Sequence, residues 1–186
     1  MDFLSQLWMP IVLSAVLVFL VSSVVHMALQ VHKNDKQVLP NEARVADALR
    51  GTPRGEYMMP GCHSMKDMGT PEMQAKYQQG PIALVTVMPN GVPNIGKALI
   101  NWFLFSLVVG AITGYVAWHA LPPTADYLHV FQITGAVAWM AYGIGELPNS
   151  IWKGTPGKTT FKFVIDGLFY ALVTAGSFGW LWPAAA

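Results

Sequence analysis

The chain has 186 residues, of which 53% are hydrophobic and only 11% charged, and its mean hydropathy is +0.40. Soluble domains carry about 25% charged residues, so an ordinary soluble domain is excluded, and a net charge of +1 leaves no electrostatic footprint for nucleic acid. Cys62 is the single cysteine, which excludes an internal disulfide framework.

The first apolar run, Phe3 to Leu29, is long enough to cross roughly 30 Å of hydrocarbon. A secretory signal has a basic start and an apolar stretch of about 7–15 residues. Here Met1 to Gln6 carries no cation and the cations follow the run, which reads as an uncleaved anchor with its N-terminus outside. Pro10 removes one helical hydrogen bond, while Ser14, Ser22 and Ser23 can bond back to the preceding turn.

Residues 30–96 form the one sizeable extramembrane segment, and seven of the thirteen prolines fall in it. Asn41 to Arg50 reads as a short helix capped by Asn41 and stopped by Gly51. Thr70 to Gly80 carries a clearer signature, with Thr70 as cap, Pro71 at the first helical position, Glu72 at the positive end and Gly80 as terminator. Ile82 to Met88 is β-prone. Fewer than about 70 residues build an independent core with difficulty, so the segment is expected to pack on the inner helix ends.

Three further runs, Ala98 to Trp118, Tyr127 to Leu147 and Phe161 to Trp182, complete four predicted spans. Eight of the eleven Lys and Arg residues lie between the first and second runs, and Lys153, Lys158 and Lys162 lie between the third and fourth. Cationic segments stay in the cytoplasm, which predicts both termini on the periplasmic side and 30–96 inside. Trp8, Trp118, Trp180 and Trp182 fall at predicted outer boundaries and Trp102 and Trp152 at inner ones, as an aromatic belt requires. The expected fold is an all-α integral membrane protein, divided into a first transmembrane helix (1–29), a cytoplasmic cap (30–96) and transmembrane helices two to four (97–186).

Small residues recur at helical spacing: Gly110 and Gly114, then Gly167, Ala171, Ala175 and Gly179. Such stripes let helix backbones approach closely, within one bundle or against another protein. Glu146 and Asp166 are acids at similar depth near the inner ends of the third and fourth spans, and Asp166 has Lys162 one turn away as its expected partner. Cys62, His63, Met65 and Met68 offer soft donors suited to Cu(I), but without paired spacing they read first as packing. His119 and His129 flank the outer turn and His26 and His32 lie at the opposite face, so no pair sits inside the hydrocarbon to ligate a haem. No Walker loop, GxGxxG, HExxH or GxSxG is present, and neither a catalytic centre nor a cofactor is expected.

The N-terminal run ending in Val-His-Met, Pro40-Asn-Glu-Ala-Arg-Val, Met65-Lys-Asp-Met-Gly-Thr-Pro-Glu-Met73 and Asp166 to Trp180 resemble a family of small bacterial inner-membrane proteins with no assigned activity. The resemblance implies a bacterial four-helix membrane protein and nothing about catalysis. The expected role is that of a non-catalytic accessory subunit in a larger, energy-transducing membrane complex, with the bilayer and other subunits or its own copies as partners. The rivals are a small oligomeric transporter or channel using Glu146, Asp166 and Asn101, and a metal- or haem-binding redox protein.

Overall fold

The computed structural model describes residues 3–183. Met1, Asp2 and the 184–186 tail, part of the cation-free ends of the chain, lie outside the described residues. In chain order the elements are α1 (Phe3–Ser23), α2 (Glu42–Leu49), β1 (Gly55–Met59), α3 (Pro71–Gln79), β2 (Ala83–Val87), α4 (Ile95–Ala120), α5 (Tyr127–Tyr142), α6 (Leu147–Trp152) and α7 (Gly157–Trp180). They form two compact units, one of residues up to Lys36 and from Asn94 onward, the other Gln37–Pro93.

The first unit is a helical bundle in which α1 packs on α4 and α7, and α5 packs on α7 and α4. Side-chain contacts set the directions. Leu7 and Phe178 meet at Gly114, while Ser22 meets Trp102 and His26 meets Tyr170. Successive long helices therefore alternate in direction. One end of the core holds Leu7, Ile11, Val130 and Phe178; the other holds Val18, Val109, Ala138, Tyr142, Tyr170 and Ala171. Ser14, Ser22 and Ser23 each donate back to a carbonyl three or four residues earlier, as read from sequence, and α1 runs through Pro10 uninterrupted.

Three helices are long and apolar enough to cross a membrane: Phe3–Ala28, Ile95–Ala120 and Gly157–Trp180. The predicted third span, Tyr127 to Leu147, is not one continuous helix. Its 16-residue helix α5 ends at Gly143, which at 1.5 Å per residue gives about 24 Å, short of the hydrocarbon thickness. The chain then makes a 3-10 turn, Ile144–Glu146, and enters α6.

The small-residue stripe explains why α5 and α7 lie so close. A Cβ on Gly167 would fall 2.4 Å from the Gly143 Cα, one on Gly135 would fall 3.2 Å from the Ala175 Cβ, and one on Gly179 would fall 2.7 Å from the Tyr127 ring. Gly110 admits the Ile11 carbonyl in the same way, Gly114 admits Phe178, and Ala171 is buried in the core. Gly110, Gly114, Gly167, Ala171, Ala175 and Gly179 thus spend their small size on contacts inside the bundle.

The second unit is not purely helical, which corrects the all-α expectation. β1 and β2 pair antiparallel from Gly55↔Val87 to Met59↔Ala83. The β-prone 82–88 stretch supplies one strand, and its partner Gly55–Met59 carried no comparable signal. Thr70 accepts from the Met73 amide at 3.4 Å and Pro71 opens α3, as read from sequence. Asn41 is a second correction: it sits in a left-handed conformation (φ 58°) and makes no capping bond from its side chain. Met73 is the buried hydrophobic residue of this unit among the described residues.

Candidate functional site

At the end of α1 the helix widens into a π turn, Val24–Ala28, closed by the Leu29 amide on the Val24 carbonyl at 3.0 Å. A π turn adds a residue to the local repeat and so reorients the chain beyond it. Gln30 then takes a left-handed conformation (φ 50°), and two turns come next, Lys33 N to Gln30 O and Asp35 N to His32 O, both at 3.1 Å. This reversal lays the His32 ring on the His26 ring, with centroids 4.7 Å apart, while Phe163 of α7 also stacks on His32 at 4.5 Å and lies 6.4 Å from His26.

His32 is held at both nitrogens. Its Nδ1–H donates to Asp35 Oδ2 at 2.6 Å, and its Nε2 lies within hydrogen-bond distance of Asp166 Oδ2 at 2.6 Å. His26 Nε2 lies 3.9 Å from the same Asp166 oxygen and 3.4 Å from the Tyr170 hydroxyl. Lys162 does not hold Asp166, as sequence reasoning expected. Its ammonium donates to Asp35 Oδ1 and to the Val31 carbonyl. That hydrogen bond, aided by His32, holds the Asp35 carboxyl below its ordinary range. Asp166 is only 5% exposed, and an acid this buried needs a partner; His32 Nε2 provides it.

Beside this cluster a cleft of about 430 Å3 opens between α1, α4, α5 and α7. Its aromatic side is one continuous network: Trp102 lies 5.6 Å from Phe105, 6.1 Å from Tyr142 and 5.8 Å from Tyr170, and Tyr142 lies 5.7 Å from Tyr170. Trp102 is fixed by donating its indole N–H to Ser22 Oγ at 3.0 Å. The polar end holds His26, Asp166 and Glu146, and no Lys or Arg lines the cleft. Glu146 and Asp166, placed at similar depth by sequence, thus line one cavity; Glu146 Oε2 accepts from the Asn149 amide at 2.7 Å.

The remaining sequence candidates do not join this site. Cys62 Sγ donates to the Ser64 carbonyl at 2.9 Å, and His63, Met65 and Met68 are exposed around it. Among the described residues the His, Cys, Asp and Glu donors that converge are His26, His32 and Asp166. His119 and His129 each turn Nδ1 to their own neighbourhood, onto the Tyr115 carbonyl and Asp126 respectively. Asn101 is exposed on α4 and does not line the cleft. Sequence reasoning missed the convergence because it paired Asp166 within its own helix. The usable signal was that His26, His32 and Asp166 share one predicted membrane face.

No protein-family model, curated protein or solved structure matches this chain.

Proposed function

We propose that the protein is a non-enzymatic integral membrane protein of the bacterial inner membrane that binds a cation in the cleft between its helices, as a small transporter does. The carrying observation is the charge of the lining: Glu146 and Asp166 are acids, and no Lys or Arg faces them there. The aromatic wall supports the same sign, because ring faces attract cations. On this reading α5 and its extension complete a fourth crossing. The distribution of Lys and Arg supports both termini on the periplasmic side and 30–96 in the cytoplasm. The resemblance noted from sequence agrees with that membrane.

Two measurements test this. The single cysteine reports topology directly: a membrane-impermeant maleimide should label Cys62 in inverted vesicles and not in intact cells with a permeable outer membrane. For the cleft, tetraphenylphosphonium and its isosteric anion tetraphenylborate should differ, with saturable quenching of tryptophan fluorescence by the cation alone and weaker quenching in Glu146→Gln. Equal response to both ions refutes the cation reading.

A second reading, that of an accessory subunit, draws on the 37–93 unit, which leaves Val38, Met65, Ile82, Met88 and Val92 exposed while burying Met73. Such a surface suits a partner subunit. If the protein purified in mild detergent from its native membrane runs without a stoichiometric companion, that role is eliminated.

A further inference from the structure

The geometry points to the class of cation: one divalent first-row transition-metal ion held by His26, His32 and Asp166. This inference rests on the reading that the cleft takes a cation, and adds which ion and which atoms.

Three donors of mixed type converge here. His32 Nε2 and His26 Nε2 lie 2.6 and 3.9 Å from one carboxylate oxygen of Asp166, and one ligand atom from each residue falls within 4.8 Å of the others. Ligands on a tetrahedral ion with bonds of about 2.0–2.2 Å stand roughly 3.3 Å apart. Closing the site therefore asks the two donor pairs involving Asp166 to shift by about 0.7 Å, and the two imidazole nitrogens, within 4.8 Å of each other, to approach by up to about 1.5 Å.

The outer shell is already assembled. A metal-bound histidine ordinarily donates its other ring N–H to a carboxylate, which fixes the tautomer and orients the lone pair. His32 does so through Nδ1–H to Asp35, and Lys162 and the chain turn hold Asp35 in place. Phe163 and His26 both stack against the ring. A simple ion pair would need none of this orientation. Metal binding would replace the direct contact between His32 Nε2 and Asp166 Oδ2. Two imidazoles and one carboxylate select against Mg2+ and Ca2+, which prefer all-oxygen shells, and for ions such as Zn2+. His26 and Asp166 both line the cleft, so a fourth position on the ion would face a ligand arriving there. A groove lined by His26, Met27, Gln30, His32 and Lys33 provides a second approach.

The test uses the full chain in lipid nanodiscs, in a Cys62→Ser, His63→Gln background that removes that thiol and imidazole. Titration with Zn2+ should give one ion per chain, lost in His26→Gln and in Asp166→Asn. Asp35→Asn, altering a positioning residue, should weaken affinity about 10–100-fold without abolishing it. Because a variant can fail to fold, the parent protein is also loaded with Cu2+, and pulsed EPR should count two imidazole nitrogens on the ion. No bound Zn2+, or one or no imidazole nitrogen, overturns the assignment, as does binding that persists in the folded His26→Gln protein. If tetraphenylphosphonium still binds while Zn2+ does not, the metal fails and the cation cleft stands; if neither binds, both fail.

Discussion

Replacing Gly167 by alanine should be the most disruptive single methyl added to this protein. The new Cβ would sit 2.4 Å from the Gly143 Cα, 2.5 Å from the Gly143 nitrogen and 2.6 Å from the Tyr142 carbonyl carbon. Carbon atoms in comfortable contact are about 3.5–4.0 Å apart, so α5 and α7 must separate by about 1 Å at this crossing. The obstructing atoms are backbone, and no rotamer change relieves them. Separation also stretches the bond from Trp139 Nε1 to the Val164 carbonyl, now 3.2 Å, and loosens the Ala175–Gly135 contact. Overpacking costs about 1–3 kcal/mol, and a clash with backbone belongs at the upper end, roughly 2–3 kcal/mol. The assay is reversible unfolding in mixed micelles by titration with a denaturing detergent, followed by tryptophan fluorescence. Gly176→Ala is the internal control: it lies on the same helix, where an added Cβ meets its nearest atom, the Tyr127 hydroxyl, at 3.9 Å. Equal stability of the two variants would refute the close crossing of α5 and α7.

Thr113 is buried with no hydrogen-bond partner for its hydroxyl, so Thr113→Val should be neutral or stabilising by up to about 1 kcal/mol in the same titration; a clear loss of stability would reveal a missed partner. Phe178, fully buried between Leu7 and Gly114, should cost about 3–5 kcal/mol when truncated to alanine, and a change under about 1 kcal/mol would mean that this end of the core is not packed as described. Asp126 caps α5 through the Leu128 and His129 amides and takes His129 Nδ1–H at 2.7 Å, and those bonds, the His129 amide foremost, hold its carboxyl below the ordinary range. A depressed folded-state pKa contributes stability above the unfolded value of about 3.9, lost as pH falls through the folded value. The unfolding midpoints of the parent and Asp126→Asn should therefore differ at pH 6 and converge in strong acid; a constant gap across that range would contradict the role of the charge.

Long apolar runs were legible because hydropathy over about 20 residues is a property of composition, and three of the four predicted spans stand as single helices. The 127–147 run deceived because its hydropathy continues while Gly143 ends the helix, a local backbone event that an averaged window cannot register. The α3 boundaries followed from Thr70, Pro71 and Gly80, whose preferences are local chemistry. The β1 strand had no such marker: Gly55 to Met59 pairs because β2 presents an open edge, and that is a tertiary cause. The cluster was half visible. His26, His32 and Asp166 were each noticed, but which side chains meet depends on α1 lying beside α7 and on the reversal at Gln30, neither of which spacing along the chain encodes. Lys162 was misassigned for the same reason, since one helical turn offered it Asp166 while the neighbouring element offered it Asp35.

The joint between His32 and Asp166 spans 134 positions of sequence, and this has a biosynthetic consequence. At about 5–20 residues per second, the ribosome needs roughly 7–27 s to travel from one partner to the other. Throughout that interval His32 lacks Asp166, and α1 lacks the packing of α7. Assembly of this protein should thus be gated by its final helix, and a nascent chain arrested before residue 166 should hold an open bundle that quality-control proteases recognise.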